Sequence, residues 1–387
     1  LPEALSDFDQ AVLLNDSDPE LFFDRGTTYE QLGRHDQALA DFEAMLAAGG
    51  PSADAFAGRG RIKLVQGELR EALDDFDASI RLDPAKGESY LARGELFTRL
   101  GRNQTAMNDY DRALHLAPAR ADAHLRRGIA FVVLGDYAAA RADLDQSIEL
   151  DPQNAEAYLN RAELNNARKR FAEALNDYNQ AIRLDPDLPL AHFSRGQIFD
   201  SLEQFKEARD DYSDVIRLTP DNAQAHLKRG ILLENEGRIE DALADYDAVI
   251  DLTPGDGPAH FGRGRILLHQ GKIDEAITDF DTAYRVIPPD ASLLHSRGNA
   301  LQAAGRLKEA LDDYNGAIKL GMVSAALFAE RGDTLQALSR LEEALIDYDQ
   351  SIKLASDNDA VFLNRAQTLF GLERYEEALA DYGSAIG

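Results

Sequence analysis

An all-α solenoid is the fold that this 387-residue chain predicts, and three periodic observations carry the prediction. Arg followed by Gly or Ala returns every 34 residues without insertion or deletion, from Arg25-Gly26 to Arg365-Ala366. Alanine returns in the same register from Ala38 to Ala378, followed four residues later by a ring or a Leu, as at Phe42, Phe76, Tyr110, Leu144 and Tyr178. Proline closes successive units at Pro84, Pro118, Pro152, Pro186, Pro220, Pro254 and Pro288. Self-similarity at a fixed period of this length means one module, copied and stacked so that each copy buries its apolar face against the next.

The elements follow in order once Pro19 is numbered position one of the first complete unit. Ala4, Phe8 and Ala11 then occupy the sites of a second helix, so residues 1–18 read as the second helix of an incomplete repeat and its connection. Residues 19–358 hold ten complete repeats, and 359–387 an eleventh, incomplete one. Inside a unit such as Gly87 to Arg120, apolar residues fall at helical spacing in two stretches, Tyr90, Leu91, Leu96, Phe97 and then Ala106, Tyr110, Ala113, Leu114. Each unit therefore predicts two short helices, with Gly101 ending the first and Pro118 closing the second.

The recurring aromatic, paired glycines, Ala, aromatic, Ala and Pro resemble the tetratricopeptide repeat, over essentially the whole chain. That resemblance implies a right-handed superhelix of antiparallel helix pairs, with residues 1–387 forming a single solenoid. Such arrays need polar terminal helices for solubility. None is legible at either end, so the expectation is a fragment of a longer array, or one whose ends are covered.

Composition bounds the function. Against 41 Lys and Arg stand 69 Asp and Glu, a net charge of −28 that repels phosphate backbones and excludes nucleic acid as the expected ligand. Much of this charge, including Asp74, Asp77, Glu342 and Glu343, reads as a solvated face. The absence of cysteine removes disulfide and thiolate chemistry. The longest apolar run, near Ile129 to Leu134, is too short to span a bilayer. The expected compartment is the cytoplasm by default, with an extracytoplasmic one left open; there the sequons Asn15-Asp16-Ser17 and Asn103-Gln104-Thr105 would matter.

No catalytic, cofactor or metal constellation is expected. Gly58-Arg59-Gly60 and Gly262-Arg263-Gly264 begin like a phosphate loop but lack the third Gly and a preceding strand, and read as small packing sites in a helix. His124, His192, His226 and His260 share position four with aromatic rings in other units. Equivalent sites lie a helix spacing apart, roughly 8–10 Å, whereas zinc needs ligands converging within about 2.0–2.3 Å. They are read as core histidines.

One regularity departs from the usual tetratricopeptide pattern: position seven is always Arg and position 23, sixteen residues later, always Asp. A guanidinium fork facing a carboxylate across a hairpin predicts a structural ion-pair ladder, with Arg25–Asp41, Arg93–Asp109, Arg195–Asp211 and Arg297–Asp313 among its rungs.

Function is then expected on the surface of the first helices, since the resemblance implies a concave groove contacted from positions two, five, nine, twelve and thirteen. Position two is acidic in five successive units, Glu20, Asp54, Glu88, Asp122 and Glu156, and then changes character. Beside this rail run Leu91, Leu125 and Leu159 at position five, joined in repeat four by Ile129, Val132 and Val133. The expectation is a non-catalytic protein-interaction scaffold that binds a basic segment with apolar anchors, more tightly through the first five repeats than the last five. A structural alternative is head-to-tail self-association through uncapped ends; another is the repeat region of a larger multidomain protein. The Lys and Asn clamp at positions five and nine, by which relatives hold a chaperone's C-terminus, is absent.

Overall fold

The computed structural model describes residues 2–15 and 17–385, with residues 2–4 as backbone alone. Leu1, Asp16 between Asn15 and Ser17 of the first sequon, the side chain of Ala4, Ile386 and Gly387 lie outside the described residues. Among those described, the chain forms 23 α-helices and no strand. It divides into two compact units, Leu1–Arg195 and Gly196–Gly387.

In the first unit α1 (Pro2–Leu14) precedes five helical hairpins: α2 (Pro19–Gln31) with α3 (His35–Gly49), α4 (Ala53–Gln66) with α5 (Leu69–Leu82), and α6 (Gly87–Arg99) with α7 (Asn103–Leu116), then α8 (Ala121–Leu134) with α9 (Tyr137–Leu150), and α10 (Ala155–Ala167) with α11 (Phe171–Leu184). The boundary falls inside α12 (Pro189–Ser201). The second unit continues with α13 (Phe205–Leu218) and again five hairpins: α14 (Ala223–Asn235) with α15 (Ile239–Leu252), α16 (Gly257–His269) with α17 (Ile273–Val286), and α18 (Ala291–Ala303) with α19 (Leu307–Lys319), then α20 (Ala325–Ala337) with α21 (Leu341–Leu354), and α22 (Asp359–Gly371) with α23 (Tyr375–Ser384). Within a unit each hairpin packs on the next, which is the solenoid arrangement.

The turn between the two helices of every hairpin places position fifteen in the left-handed region. Seven of these residues are glycine, which pays no Cβ penalty there, and four are not: Lys169, Glu203, Ser339 and Glu373, with φ of 58–61°. A left-handed non-glycine residue costs about 1–2 kcal/mol. Replacing the exposed Ser339 by Gly is therefore expected to stabilise the second unit by roughly 1 kcal/mol, read as a raised denaturant midpoint at unchanged slope.

The core of a hairpin is built around position 24, a ring in all but the fourth repeat, where it is Leu144, and small residues of two successive first helices grip that side chain in several repeats. A Cβ added to Gly230 would lie 3.2 Å from the Tyr246 ring on one side, and one added to Gly262 of the next hairpin would lie 2.5 Å from it on the other. Phe42 is held the same way by Gly26 and Gly58. The two Gly-Arg-Gly segments thus supply close helix packing, and none of their glycines lies in a left-handed turn.

Candidate binding surface

The arginine at position seven organises the polar side of every hairpin. Ten of these arginines donate from Nε and Nη2 to the two oxygens of the aspartate sixteen residues on, at 2.6–2.9 Å. Arg25 with Asp41, Arg93 with Asp109 and Arg297 with Asp313 are among them. The aspartates are buried and the arginines mostly so, and the bonds to Asp109 raise the affinity of Arg93 for its proton. Arg195 ends the first unit and Asp211 belongs to the second, so that rung remains a proposal.

The same guanidinium also reaches backward. Its Nη1 donates to position 25 of the preceding second helix: Arg25 to Asp9 at 3.0 Å, Arg93 to Asp77 at 2.7 Å, Arg161 to Asp145 at 2.7 Å, Arg263 to Asp247 at 2.7 Å and Arg365 to Asp349 at 2.6 Å. Where position 25 is Asn179, Ser213 or Asn315, the neutral oxygen accepts instead. One side chain thus closes its own hairpin and ties it to the one before.

The histidines at position four join this network. His124 Nδ1 lies 2.9 Å from Asp143 Oδ1 and its Nε2 3.0 Å from the Pro118 carbonyl oxygen. His226 and His260 repeat both contacts with Asp245 and Pro220, and with Asp279 and Pro254. With both nitrogens engaged, these rings cross-link one hairpin to the turn before it.

Several tyrosines at position 24 thread their hydroxyls through the hairpin to a polar row on the first helices. Tyr178 donates to Glu163, Tyr246 to Glu234 and Tyr348 to Asp333, each at 2.7 Å, while Tyr110 meets Thr98 at 2.9 Å. Burial pushes the Tyr110 phenol up to about 12 and raises Tyr178, Tyr246, Tyr314 and Tyr348 further. A phenol that keeps its proton longer when folded than its ordinary value of 10.0 allows contributes stability complete below pH 10 and lost as pH rises through the folded value. Alkaline titration is expected to show tyrosinate absorbance rising only together with loss of helical circular dichroism, for all of these tyrosines.

The acidic rail is present but already answered by internal cations. Lys86 meets Asp54 and lies 4.0 Å from Glu88, Arg61 reaches Glu88 at 3.3 Å, Arg120 holds Asp122 at 2.8 Å, and Arg126 bridges Glu95 at 2.9 Å and Glu156. Glu20 is exposed. Position two alone does not reveal these bases, because they come from positions nine, 34 and six of various units. Position 34 is informative: Ser52, Asn154, Asn222, Asp256, Asp290 and Ser324 cap the following helix there, whereas Lys86 and Arg120 make no side-chain cap. Repeats three and four forgo a cap worth about 1 kcal/mol.

The apolar floor is narrower than the sequence predicts. Leu91 and Leu125 are buried at 5% and 2% exposure and belong to the core, because position five turns inward between adjacent first helices. Ile129, Val132 and Leu159 are half-buried, and Val133 is 61% exposed.

Comparison with known proteins identifies the repeat. The family model described as "Tetratricopeptide repeat" matches residues 1–54, 58–124, 125–189, 193–257, 237–292 and 261–325. A solved structure titled "Functional Characterization of Pseudomonas Aeruginosa pilF" is 18% identical with a TM-score of 0.50, covering 57% of this chain and 97% of that one. A tetratricopeptide repeat protein from Parabacteroides merdae is 19% identical with a TM-score of 0.43, covering 64% and 98% respectively. YrrB, described as having an unusual peptide-binding site, is 22% identical with a TM-score of 0.41, covering 51% and 97%. A search of curated protein sequences finds no match. No helix among the described residues is long and apolar enough to cross a membrane. With six matches to one family model along a chain of stacked helical hairpins, this chain belongs to the tetratricopeptide repeat family.

Proposed function

We propose that this chain is a non-catalytic scaffold that holds a protein segment with basic residues flanking one or two apolar anchors, on the first helices of repeats three to five. The observation that carries this reading is Val133, exposed beside half-buried Ile129, Val132 and Leu159 in the middle of a strongly acidic chain. Partly exposed apolar side chains grouped on neighbouring first helices mark partner sites more often than isolated ones do. Glu88, Asp122 and Glu156 edge the patch. Exposed ion pairs such as Arg120–Asp122 contribute about 0–1 kcal/mol, so a basic partner exchanges for the internal cation at little cost. The missing caps at Lys86 and Arg120 fall in the same repeats, which fits selection for this surface over local helix stability.

Selection from a random-peptide display library tests the reading while the natural partner is still unidentified. Selected peptides are expected to be enriched in Lys and Arg around apolar residues. Ile129→Asp should then speed their dissociation about tenfold or more, whereas Asp122→Lys should slow association and flatten its salt dependence. Peptides without basic residues, or equal kinetics in both variants, would sink the assignment.

Self-association is the second reading, favoured by exposed Leu13 and Leu14 on α1 and by exposed Phe370 and Leu379 on α22 and α23. Sedimentation velocity distinguishes it: a concentration-independent monomer removes the reading.

A further inference from the structure

In an acidic chain, one cavity is lined by three guanidiniums and a single carboxylate. Between α9 and α10 lies a cavity of about 400 Å³ lined by Tyr137, Ala138, Arg141, Ala142, Asp145, Leu164, Asn165, Arg168 and Arg170. Its guanidiniums stand where other repeats carry apolar residues or acid partners. Arg141 occupies position 21, which is Leu39, Leu73, Leu175 or Leu243 elsewhere. Arg168 occupies position fourteen, which is Leu32, Leu100, Leu134 or Leu338 elsewhere, and Lys169 follows it at the left-handed turn.

The second unit shows what such a place receives. Arg209 also occupies position 21, and 27 residues later, where repeat five has Arg168, repeat seven has Glu236. Arg209 Nη1 holds the Glu236 carboxylate at 2.5 Å. At the junction of repeats four and five the acid is replaced by a second arginine, so no carboxylate comes from position fourteen. One acid lines the cavity, Asp145, which is shared: it lies 2.7 Å from Arg161 and, more loosely, 3.5 Å from Arg141, while Asp177 accepts from Arg161 and from Asn165. Arg141 is otherwise bonded to the neutral Asn165 oxygen at 3.0 Å, and the Arg168 guanidinium rests over the Tyr137 ring at 5.6 Å. Arg170 differs from its equivalents too. Arg238, Arg306, Arg340 and Arg374 each donate to the acid three residues on, whereas Arg170 makes no such bond to Glu173 among the described contacts and lines the cavity instead.

We propose that this cavity binds an acidic side chain of a partner protein. The carboxylate is received by Arg141 and Arg168, as Arg209 receives Glu236, and the aliphatic stem packs on Leu164, Ala138 and the Tyr137 ring. The site is separate from the apolar patch on the first helices and opposite to it in charge preference, so a partner engaging both presents a basic-apolar segment and an acidic one.

The test uses the whole chain, labelled for Arg Nε–H correlation spectra, titrated with N-acetylglutamate amide as the probe. N-acetylglutaminamide and inorganic phosphate are the controls, at matched ionic strength. The Arg141 and Arg168 resonances are expected to move saturably with the glutamate probe, not with its neutral analogue, and less with phosphate. Arg168→Glu restores the arrangement seen at Arg209, and is expected to weaken the probe about tenfold or more by supplying an internal carboxylate. Arg141→Leu, the residue of neighbouring repeats, should do the same, with an unchanged resonance of Arg127, which binds Asp143 on α9, reporting that the hairpin is intact. Equal movement with the neutral analogue, a stronger response to phosphate, or undiminished binding in both variants would overturn the proposal.

Discussion

Asp109→Ala is expected to cost about 3 kcal/mol, near the lower end of what is typical for removing one partner of a buried pair. Asp109 is 5% exposed and takes two bonds from Arg93, which also serves Asp77 of the preceding hairpin. Removing the carboxylate strands a guanidinium whose other partner lies on α5. Because each repeat contacts only its neighbours, the loss should be local. Hydrogen exchange should rise in α6 and α7 and more weakly in α5 and α8, leaving α2 unchanged. The pair need not contribute net stability over an apolar alternative. Arg93→Leu with Asp109→Leu should therefore recover much of the loss, and a coupling energy near zero in that cycle would show that the two residues act independently.

Tyr246→Ala is expected to cost about 4 kcal/mol, in the range for deleting a fully buried ring. The ring is wholly buried between Gly230 of its own hairpin and Gly262 of the next, so truncation opens a cavity at the junction of repeats seven and eight. It also removes the hydroxyl that donates to Glu234. Tyr246→Phe keeps the ring and loses only that bond, with an expected cost of about 1 kcal/mol. In an array of coupled repeats the alanine variant should split unfolding into two steps, because the interface that links neighbouring hairpins is lost. A single coincident transition of unchanged midpoint would show that the ring does not hold that junction together.

How much of this is legible in the sequence depends on whether a residue's role repeats. Arg25 and Asp41 recur eleven times in one register, so both the hairpins and their cross-link can be read from spacing alone. The backward bond to position 25 escapes that reading, although Asp9, Asp77, Asp111, Asp145, Asp247, Asp281 and Asp349 recur with the same period. A partner sixteen residues earlier, across an interface between repeats, is not suggested by the pattern within one unit. The family resemblance puts Leu91 and Leu125 on the open face, because position five is among the groove positions that it implies. A helix packed on both sides turns that position into the core, and only the neighbouring hairpin decides it. The bases answering the acidic rail are hard to see for the opposite reason: Arg61 and Arg126 come from positions nine and six, and Lys86 and Arg120 from position 34 of only two units, so no chain-long period marks them. The same holds for Arg141 and Arg168, which break the repeat. Departures from a periodic sequence report sites, while the period itself reports the fold.

The central claim, that partners are held by the first helices of repeats three to five, is tested most directly by hydrogen exchange of the whole chain with and without a peptide selected for binding to it. The account predicts protection concentrated in α6, α8 and α10, around Ile129 and Val133, and its loss in the Ile129→Asp variant. Protection centred on the second helices, or anywhere in residues 239–384, would contradict it.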